Sequence, residues 1–170
     1  MKILGQLQKA FTVFFLIIIT LSILTWLGVI SPFDKFESAT SSIVEDKLRV
    51  DALTGNAEAQ NKLGTLLYKR AEKYNTDYSE AIDWFNEASR QRHPIAQVNL
   101  GFAYKTGNGV LQSNDEAIKQ LYQSGLNFLR LDFPMDAKDN VYNIHKINSK
   151  HPLKFNLIAA IKKYEGDKNL

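Results

Sequence analysis

The sequence predicts an all-α protein, an α-solenoid of about two helical hairpins with helical caps behind one N-terminal transmembrane helix. One observation is a six-residue phrase that occurs twice, as AQNKLG at residues 59–64 and as AQVNLG at residues 96–101. The shift of 37 residues between the copies is typical of stacked helical hairpins. The other observation is a run of 21 uncharged residues, from Ala10 to Ile30. Outside that run, no segment alternates as a strand would.

Signals for helix starts divide the repeat region, residues 43–125, into five helices. Ser, Asn and Asp side chains can accept hydrogen bonds from first-turn N–H groups, and Pro suits the first helical turn. Such residues open helices at Ser42, Asn56, Asp77, Pro94 and Ser113, which are predicted to end near residues 54, 74, 92, 105 and 124. Gly55 and Gly125 are expected to stop the first and the last of these helices. Gly107 and Gly109 are expected to form a turn with positive φ.

The flanks of the repeat region have simpler patterns. Residues 31–42, with Pro32 and the run SATSS, are predicted to form a linker after the apolar run. Beyond residue 125 the repeat fades, and apolar residues at helical spacing predict two helices, 134–147 and 152–164. Residues 126–170 are therefore interpreted as degenerate capping helices, which a solenoid needs at its ends.

Residues 1–30 are interpreted as a short cytoplasmic N-terminus followed by an uncleaved membrane anchor, which comprises residues 10–30. As a helix the run would extend about 31 Å, close to the thickness of the hydrocarbon layer of a bilayer. A cleaved signal peptide has a shorter apolar stretch and a small-residue cleavage site, which residues 27–32 do not offer. A buried core helix is the other alternative, but so small a chain has little with which to surround one.

Composition and motifs argue against several classes of function. The chain contains no cysteine, which excludes a disulfide scaffold, a thiol nucleophile and a thiolate metal site. Beyond residue 30 it carries 19 basic and 18 acidic residues, without the basic stripe of a nucleic-acid binder. Phosphate-loop, serine-hydrolase and zinc-protease motifs do not occur, and Asp132, Asp136 and Asp139 lack the spacing of a calcium loop. We therefore expect no enzyme activity, metal, cofactor or nucleic-acid partner.

The repeated positions resemble the Sel-one-like repeat family, relatives of the tetratricopeptide repeats. The second unit matches its first helix and glycine turn, with Gln120-Leu121 where an aromatic pair is usual; the matching residues are Ala96, Gln97, Leu100, Gly101, Tyr104, Gly107, Gly109 and Val110. The first unit has the polar segment Lys69–Thr76 instead of the glycine turn, and it matches at Ala59, Gln60, Leu63, Gly64, Ala81, Trp84, Phe85 and Ala88. The resemblance implies stacked hairpins, with Trp84 and Phe85 in the core, and a surface that binds another protein.

Helical spacing also indicates candidate contacts for a protein partner. On the first helix of each unit, the face opposite the Ala/Leu/Gly stripe holds positions one, five, eight and twelve, counted from Glu58 in the first unit. These positions are Glu58, Lys62, Thr65 and Lys69, then Ile95, Asn99, Phe102 and Thr106. In related solenoids this face tends to line the groove, so we expect contacts from Phe102, Asn99, Ile95, Thr106, Lys62 and Lys69. The alternative is that residues 126–165 fold back and cover Ile95 and Phe102.

These observations favour a membrane-anchored protein–protein interaction module, an adaptor or scaffold displayed outside the cytoplasmic membrane. One alternative is an immunity protein that neutralises a secreted antibacterial effector, such as a phospholipase acting in the periplasm. Sel-one-like repeat proteins resemble that class in size, export and lack of catalytic residues. Another alternative is a structural subunit of an envelope complex whose specificity lies in the anchor helix. Residues 10–30 contain no glycine-based small-x-x-x-small pair for such packing, which disfavours this alternative.

The first testable prediction concerns topology. Lys2 and Lys9 precede the apolar run and no acidic residue does, so the positive-inside tendency places residues 31–170 outside the cytoplasm. In a Gram-negative bacterium the chain would be a single-pass inner-membrane protein with a periplasmic C-terminal domain. A reporter that is active only in the periplasm should therefore work when it is fused after Leu170. Activity of a cytoplasmic reporter alone at the same position would contradict this orientation.

Overall fold

The computed structural model describes residues 32–168 and, further towards the N-terminus, residues 15–16, 18–20 and 22–23. Residues 32–168 contain seven helices and no strand; the helices are α1 Pro32–Leu53, α2 Ala57–Tyr74, α3 Ser79–Arg90, α4 Pro94–Thr106, α5 Asn114–Arg130, α6 Pro134–Ile147 and α7 Pro152–Lys168. The all-α prediction is confirmed for these residues. The chain divides into two units, residues 1–44 and residues 45–170. The packing described below belongs to the second unit.

The proposed anchor, residues 10–30, lies largely outside the described residues. Among the described residues no helix is both long and apolar enough to cross a membrane. The described part of the run is helical and exposes large apolar side chains such as Phe15 and Leu16. Its hydroxyl groups bond back to the helix, since Thr20 Oγ1 donates to the Leu16 carbonyl at 2.9 Å. The anchor therefore remains a prediction.

Helix starts at Asn56, Pro94 and Ser113 are confirmed. Asn56 Oδ1 accepts a hydrogen bond from the Ala59 N–H at 3.0 Å, and Ser113 Oγ accepts from the Glu116 N–H at 3.2 Å. Each bond satisfies one of the amide groups that a first turn leaves without a helical partner. Pro94 occupies the first turn of α4, as predicted. These starts were predictable because capping depends on residues adjacent in sequence.

Two other predicted helix starts are wrong. α1 begins at Pro32, so the segment interpreted as a linker is helical and Ser42 lies inside a helix instead of capping one. Ser and Thr cost only a few tenths of a kcal/mol each in a helix, and such a cost does not interrupt it. α3 begins at Ser79, which leaves Asp77 outside the helix, where it accepts the Ser79 N–H at 3.0 Å.

Gly125 does not stop a helix, contrary to the prediction. α5 continues through Gly125, and Asp132, with a φ of 70°, is the residue at which the chain leaves the helix. The Phe133 N–H then bonds to the Phe128 carbonyl at 2.9 Å, as in a Schellman motif. A methyl group at Gly125 would lie 2.6 Å from a methyl carbon of the buried Leu157. This glycine therefore serves the close approach of α7 to α5.

The helices pack as consecutive hairpins. α2 pairs with α3, α4 with α5, and α6 with α7, while α3 contacts α4 and α5 contacts α6. α7 also packs on α5, so the C-terminal helices cover the last repeat hairpin from the side of α5. One buried cluster combines α5, α6 and α7; its buried residues are Ile118, Leu121, Phe128, Leu129, Ala137, Ile144, Leu157 and Ile161.

Each repeat hairpin is closed by a glycine that faces a large side chain. A methyl group at Gly64 would lie 2.7 Å from Phe85 Cδ1 and 3.1 Å from the Ala81 carbonyl oxygen. In the second hairpin a methyl group at Gly101 would lie 3.0 Å from Leu121 Cγ. Leu121 therefore occupies the place that Phe85 has in the first unit. Phe85 is 2% exposed, which confirms it as a core residue.

Ion pairs fasten the end of α1 to the first hairpin. Glu45, whose side chain is 13% exposed, accepts hydrogen bonds from Arg70 and, at 3.2 Å, from Arg49. Arg49 also donates to Glu80 of α3 at 2.6 Å. The bond from Arg70 is the main reason that the pKa of Glu45 lies below its usual value, against the opposing effect of burial. Next to these pairs, Ala52 of α1 is buried in a cluster that includes residues of α2 and α3.

Gly64→Ala should destabilise the domain. Alanine favours a helix over glycine by about 1 kcal/mol, but the added methyl group would overpack Phe85 at a cost of about 1–3 kcal/mol. Urea unfolding of the purified full chain, followed by circular dichroism, measures the difference. Gly166→Ala in α7 is the matched control, because no heavy atom lies within 4 Å of its added methyl group. It should leave stability unchanged or slightly raised.

A second change tests the cause of the destabilisation. Phe85→Leu in the Gly64→Ala background should recover part of the loss. In the second hairpin the equivalent residue is Leu121, and it lies 3.0 Å from a methyl group at Gly101, farther than the 2.7 Å between Phe85 and a methyl group at Gly64. A Gly64→Ala protein as stable as wild type would contradict the close contact of α2 and α3.

Acid should weaken the attachment of α1. The pKa of Glu45 is lower in the folded protein than in the unfolded chain, so its ion pairs stabilise the fold at neutral pH. That stabilisation is lost as the pH falls through the folded pKa, which lies below about 4.5. Urea midpoints measured from pH 7 to pH 3 should thus fall more steeply for wild type than for Glu45→Gln. Parallel curves would contradict the prediction, and Glu87→Gln, from an exposed surface pair, is the control.

Candidate functional site

An open cleft lies between α2 and α4, the first helices of the two repeat hairpins. Its volume is ≈ 260 Å³. The lining residues are Thr65, Tyr68, Lys69 and Glu72 of α2, Asn99 and Phe102 of α4, and the buried Phe85 of α3. Three of the lining residues are therefore aromatic, one from each of these helices. The two charged ones, Lys69 and Glu72, both lie on α2.

An amide contact joins the two helices beside the cleft. Asn99 Nδ2 donates to Oδ1 of the buried Asn61 at 3.0 Å and lies 3.5 Å from Thr65 Oγ1. Thr65 in turn donates to the Asn61 carbonyl at 2.9 Å. The Oδ1 atom of Asn99 accepts no hydrogen bond from a described residue. The contact thus sets the spacing of α2 and α4 and leaves one acceptor for another donor.

Contacts within the protein hold two of the aromatic rings of the cleft, those of Tyr68 and Phe85, in place. Tyr68 Oη accepts a hydrogen bond from Asn108 Nδ2 at 2.8 Å, and its ring packs against Tyr78 with centroids 4.8 Å apart. Phe85 lies beyond it, 6.2 Å away between centroids. Phe102, by contrast, is 42% exposed. The cleft thus combines two supported aromatic rings with one that faces solvent.

The charged residues of the cleft differ from their neighbours on α2. Lys69 and Glu72 are exposed and make no ion pair with any described residue. Two to three turns before Lys69, Lys62 pairs with Glu58 at 3.0 Å, and His93 Nε2 lies 2.8 Å from the same carboxylate. The hydrogen bond with His93, followed by that with Lys62, lowers the pKa of Glu58. Lys69 and Glu72 therefore carry the charges that remain available beside the cleft.

The structure brings together half of the predicted partner contacts. Phe102, Asn99 and Lys69 line the cleft, together with Thr65 from the predicted face. Ile95 and Thr106 are exposed on α4 but do not line the cleft, and Lys62 is engaged with Glu58. The alternative that residues 126–165 cover Ile95 and Phe102 is wrong, because these side chains are 47% and 42% exposed. Whether any of these residues binds a partner stays a prediction.

Tyr68, Glu72 and Phe85 line the cleft although the sequence did not indicate them as contacts. Phe85 was assigned to the core, which is also correct, since a buried ring can form the base of a cleft. Tyr68 and Glu72 lie three and seven positions after Thr65, on the side of α2 that faces α4. The helical spacing from Thr65 was a usable signal, but the prediction followed a single stripe of each helix.

The glutamine of the repeated phrase has a structural role. Gln60 Oε1 accepts from Gln91 Nε2 at 2.8 Å, and Gln97 Oε1 accepts from Asn127 Nδ2 at 2.8 Å. Both glutamines are buried, and each bond ties a first helix to the end of the second helix of its own hairpin. The repeated glutamine is thus explained by packing and does not define a ligand site. Within the described residues, no three His, Asp or Glu side chains converge as a metal site would require.

The fold and the cleft define a helical-repeat protein with an open surface between its first helices. The Sel1 repeat matches residues 57–93 and 94–119, which correspond to α2–α3 and to α4 with the start of α5. Sel1 repeats generally mediate protein–protein interactions and are generally not enzymes. The resemblance predicted from the sequence is confirmed over these residues. Comparison with curated proteins found no match.

Proposed function

We propose that this chain is a membrane-anchored adaptor that binds another protein through the cleft between α2 and α4. The observation that carries the proposal is Phe102, an aromatic side chain 42% exposed at an open cleft whose two charged residues have no ion-pair partner in the part of the chain that the structure describes. Aromatic residues ringed by polar groups are the usual anchors of protein interfaces. Exposed Ile95, two turns before Phe102 on α4, extends the apolar surface.

The proposed mechanism is recruitment without chemistry. Residues 10–30 would hold the chain in the inner membrane, and the helical repeats would present the cleft in the periplasm. The support for this placement is the uncharged run and the two lysines before it. Tethering raises the local concentration of the repeat domain near other membrane proteins, so a modest intrinsic affinity suffices for capture.

Photo-crosslinking from the cleft tests the proposal in intact cells. A photoreactive phenylalanine analogue at position 102 should give a discrete crosslinked product with another protein. The matched control places the same analogue at position 155 on α7, where Phe155 is also exposed, at 54%, but does not line the cleft. Equal products from both positions, or none from position 102, would overturn the proposal.

The crosslinked protein also separates the alternatives. A secreted antibacterial effector, such as a phospholipase, would indicate an immunity protein, and a member of an envelope assembly would indicate an adaptor or a structural subunit. Phe102→Ala then distinguishes the last two. It should release an adaptor's partner, while a subunit held by its anchor helix would stay bound.

A further inference from the structure

We infer that the cleft binds a peptide segment that inserts one large apolar side chain and carries an acidic residue beside it. This inference rests on the proposed function and deepens it by naming the chemistry of the partner. It is argued from the size of the cleft, from its hydrogen-bonding groups and from the position of its charges.

The size of the cleft suits one side chain better than a whole small ligand. Its ≈ 260 Å³ lie below the roughly 300–1,000 Å³ of pockets that enclose drug-sized molecules. The aromatic rings of Tyr68, Phe85 and Phe102 line it, and an aliphatic or aromatic side chain would bury its surface against them. Two of these rings are packed in place by the protein itself, so binding would order little beyond Phe102.

The hydrogen-bonding groups of the cleft fit a polypeptide backbone. Asn99 Nδ2 donates a hydrogen bond to Asn61 Oδ1, and no described residue donates a hydrogen bond to Asn99 Oδ1. An amide oxygen in that state can accept the N–H of a peptide group. Because the Asn61 contact fixes the side chain, the acceptor is held in place before a partner arrives. A purely apolar ligand would leave this oxygen without a partner, which disfavours such a ligand.

The charged side chains of the cleft, Lys69 and Glu72, indicate which residues flank the apolar anchor of the segment. Thr65 lies within 3.5 Å of Asn99, so Lys69 is one turn and Glu72 about two turns further along α2. Lys69 has no ion pair among the described residues, and an acidic side chain beside the apolar anchor would supply one. Glu72 would favour a basic residue further along the segment. Along the bound segment we therefore expect, in order, a backbone N–H that donates to Asn99, the apolar anchor with its acidic neighbour, and a basic residue.

Selection from a phage-displayed library of short random peptides on the purified full chain tests the inference. Enriched peptides should share one Leu, Ile, Met or Phe with an adjacent Asp or Glu. Phe102→Ala should weaken their binding about 30-fold or more, as expected at an anchor residue. Phe155→Ala is the matched control and should leave binding unchanged. Failure to enrich peptides, or enriched peptides that tolerate Phe102→Ala, would overturn the inference.

A charge reversal tests the acidic flank without touching the aromatic residues. Lys69→Glu should weaken the acidic peptides about tenfold and, in a new selection, enrich peptides with Lys or Arg at the same place. Lys69 is exposed and makes no ion pair within the described residues, so this variant should change the melting temperature little. Unchanged peptide preferences would overturn the assignment of Lys69.

The two proposals fail in different ways. A crosslink from position 102 in cells without peptide enrichment would uphold the adaptor and overturn the peptide inference, because the partner would then present a folded surface. Peptide enrichment without a crosslink in cells would uphold the chemistry of the cleft and overturn the adaptor as proposed.

Discussion

The close approach of α2 and α3 at Gly64 is the contact on which the rest of the first repeat depends. Because Gly64 has no side chain, the ring of Phe85 lies directly against the backbone of α2. The same ring then reaches the side of α2 that faces α4, where it lines the cleft. A larger residue at position 64 would displace Phe85 and alter the cleft together with the core. Packing and the candidate site thus share one residue.

Polar contacts position successive hairpins once the glycine contacts have closed each of them. Gln60 Nε2 donates to the Ala52 carbonyl at 3.1 Å, which links α2 to α1. Buried Ser124 donates to the Pro94 carbonyl and accepts from Asn140, which links α5 to α4 and to α6. If two helices shifted against each other, a buried amide or hydroxyl that lost its hydrogen bond would lower the stability of the fold by about 1–3 kcal/mol. Apolar contacts have no such directional requirement. These bonds therefore favour one register of the stack.

The sequence predicts most of this fold because capping and repeat periodicity are local signals. Asn56 and Ser113 each cap the helix that follows them, and Pro134 and Pro152 open helices at the predicted positions. Gly125 shows the limit of this reasoning. A glycine at the end of an apolar pattern can stop a helix or admit a neighbouring one, and only the position of Leu157 distinguishes the two.

The cleft was less predictable than the helices because two elements far apart in sequence form it. Phe102 follows from a stripe on one helix, but the role of Tyr68 depends on Asn108, which lies 40 residues away. The exposure of Phe102 has a further consequence. A side chain that is 42% exposed contributes little to the core, so it can vary while Gly101 beside it keeps the hairpin closed. Gly101, which serves the packing, and Phe102, which we propose as a partner contact, are thus adjacent on α4 and lie about 100° apart around the helix axis, so the proposed contact could change without a change in the packing.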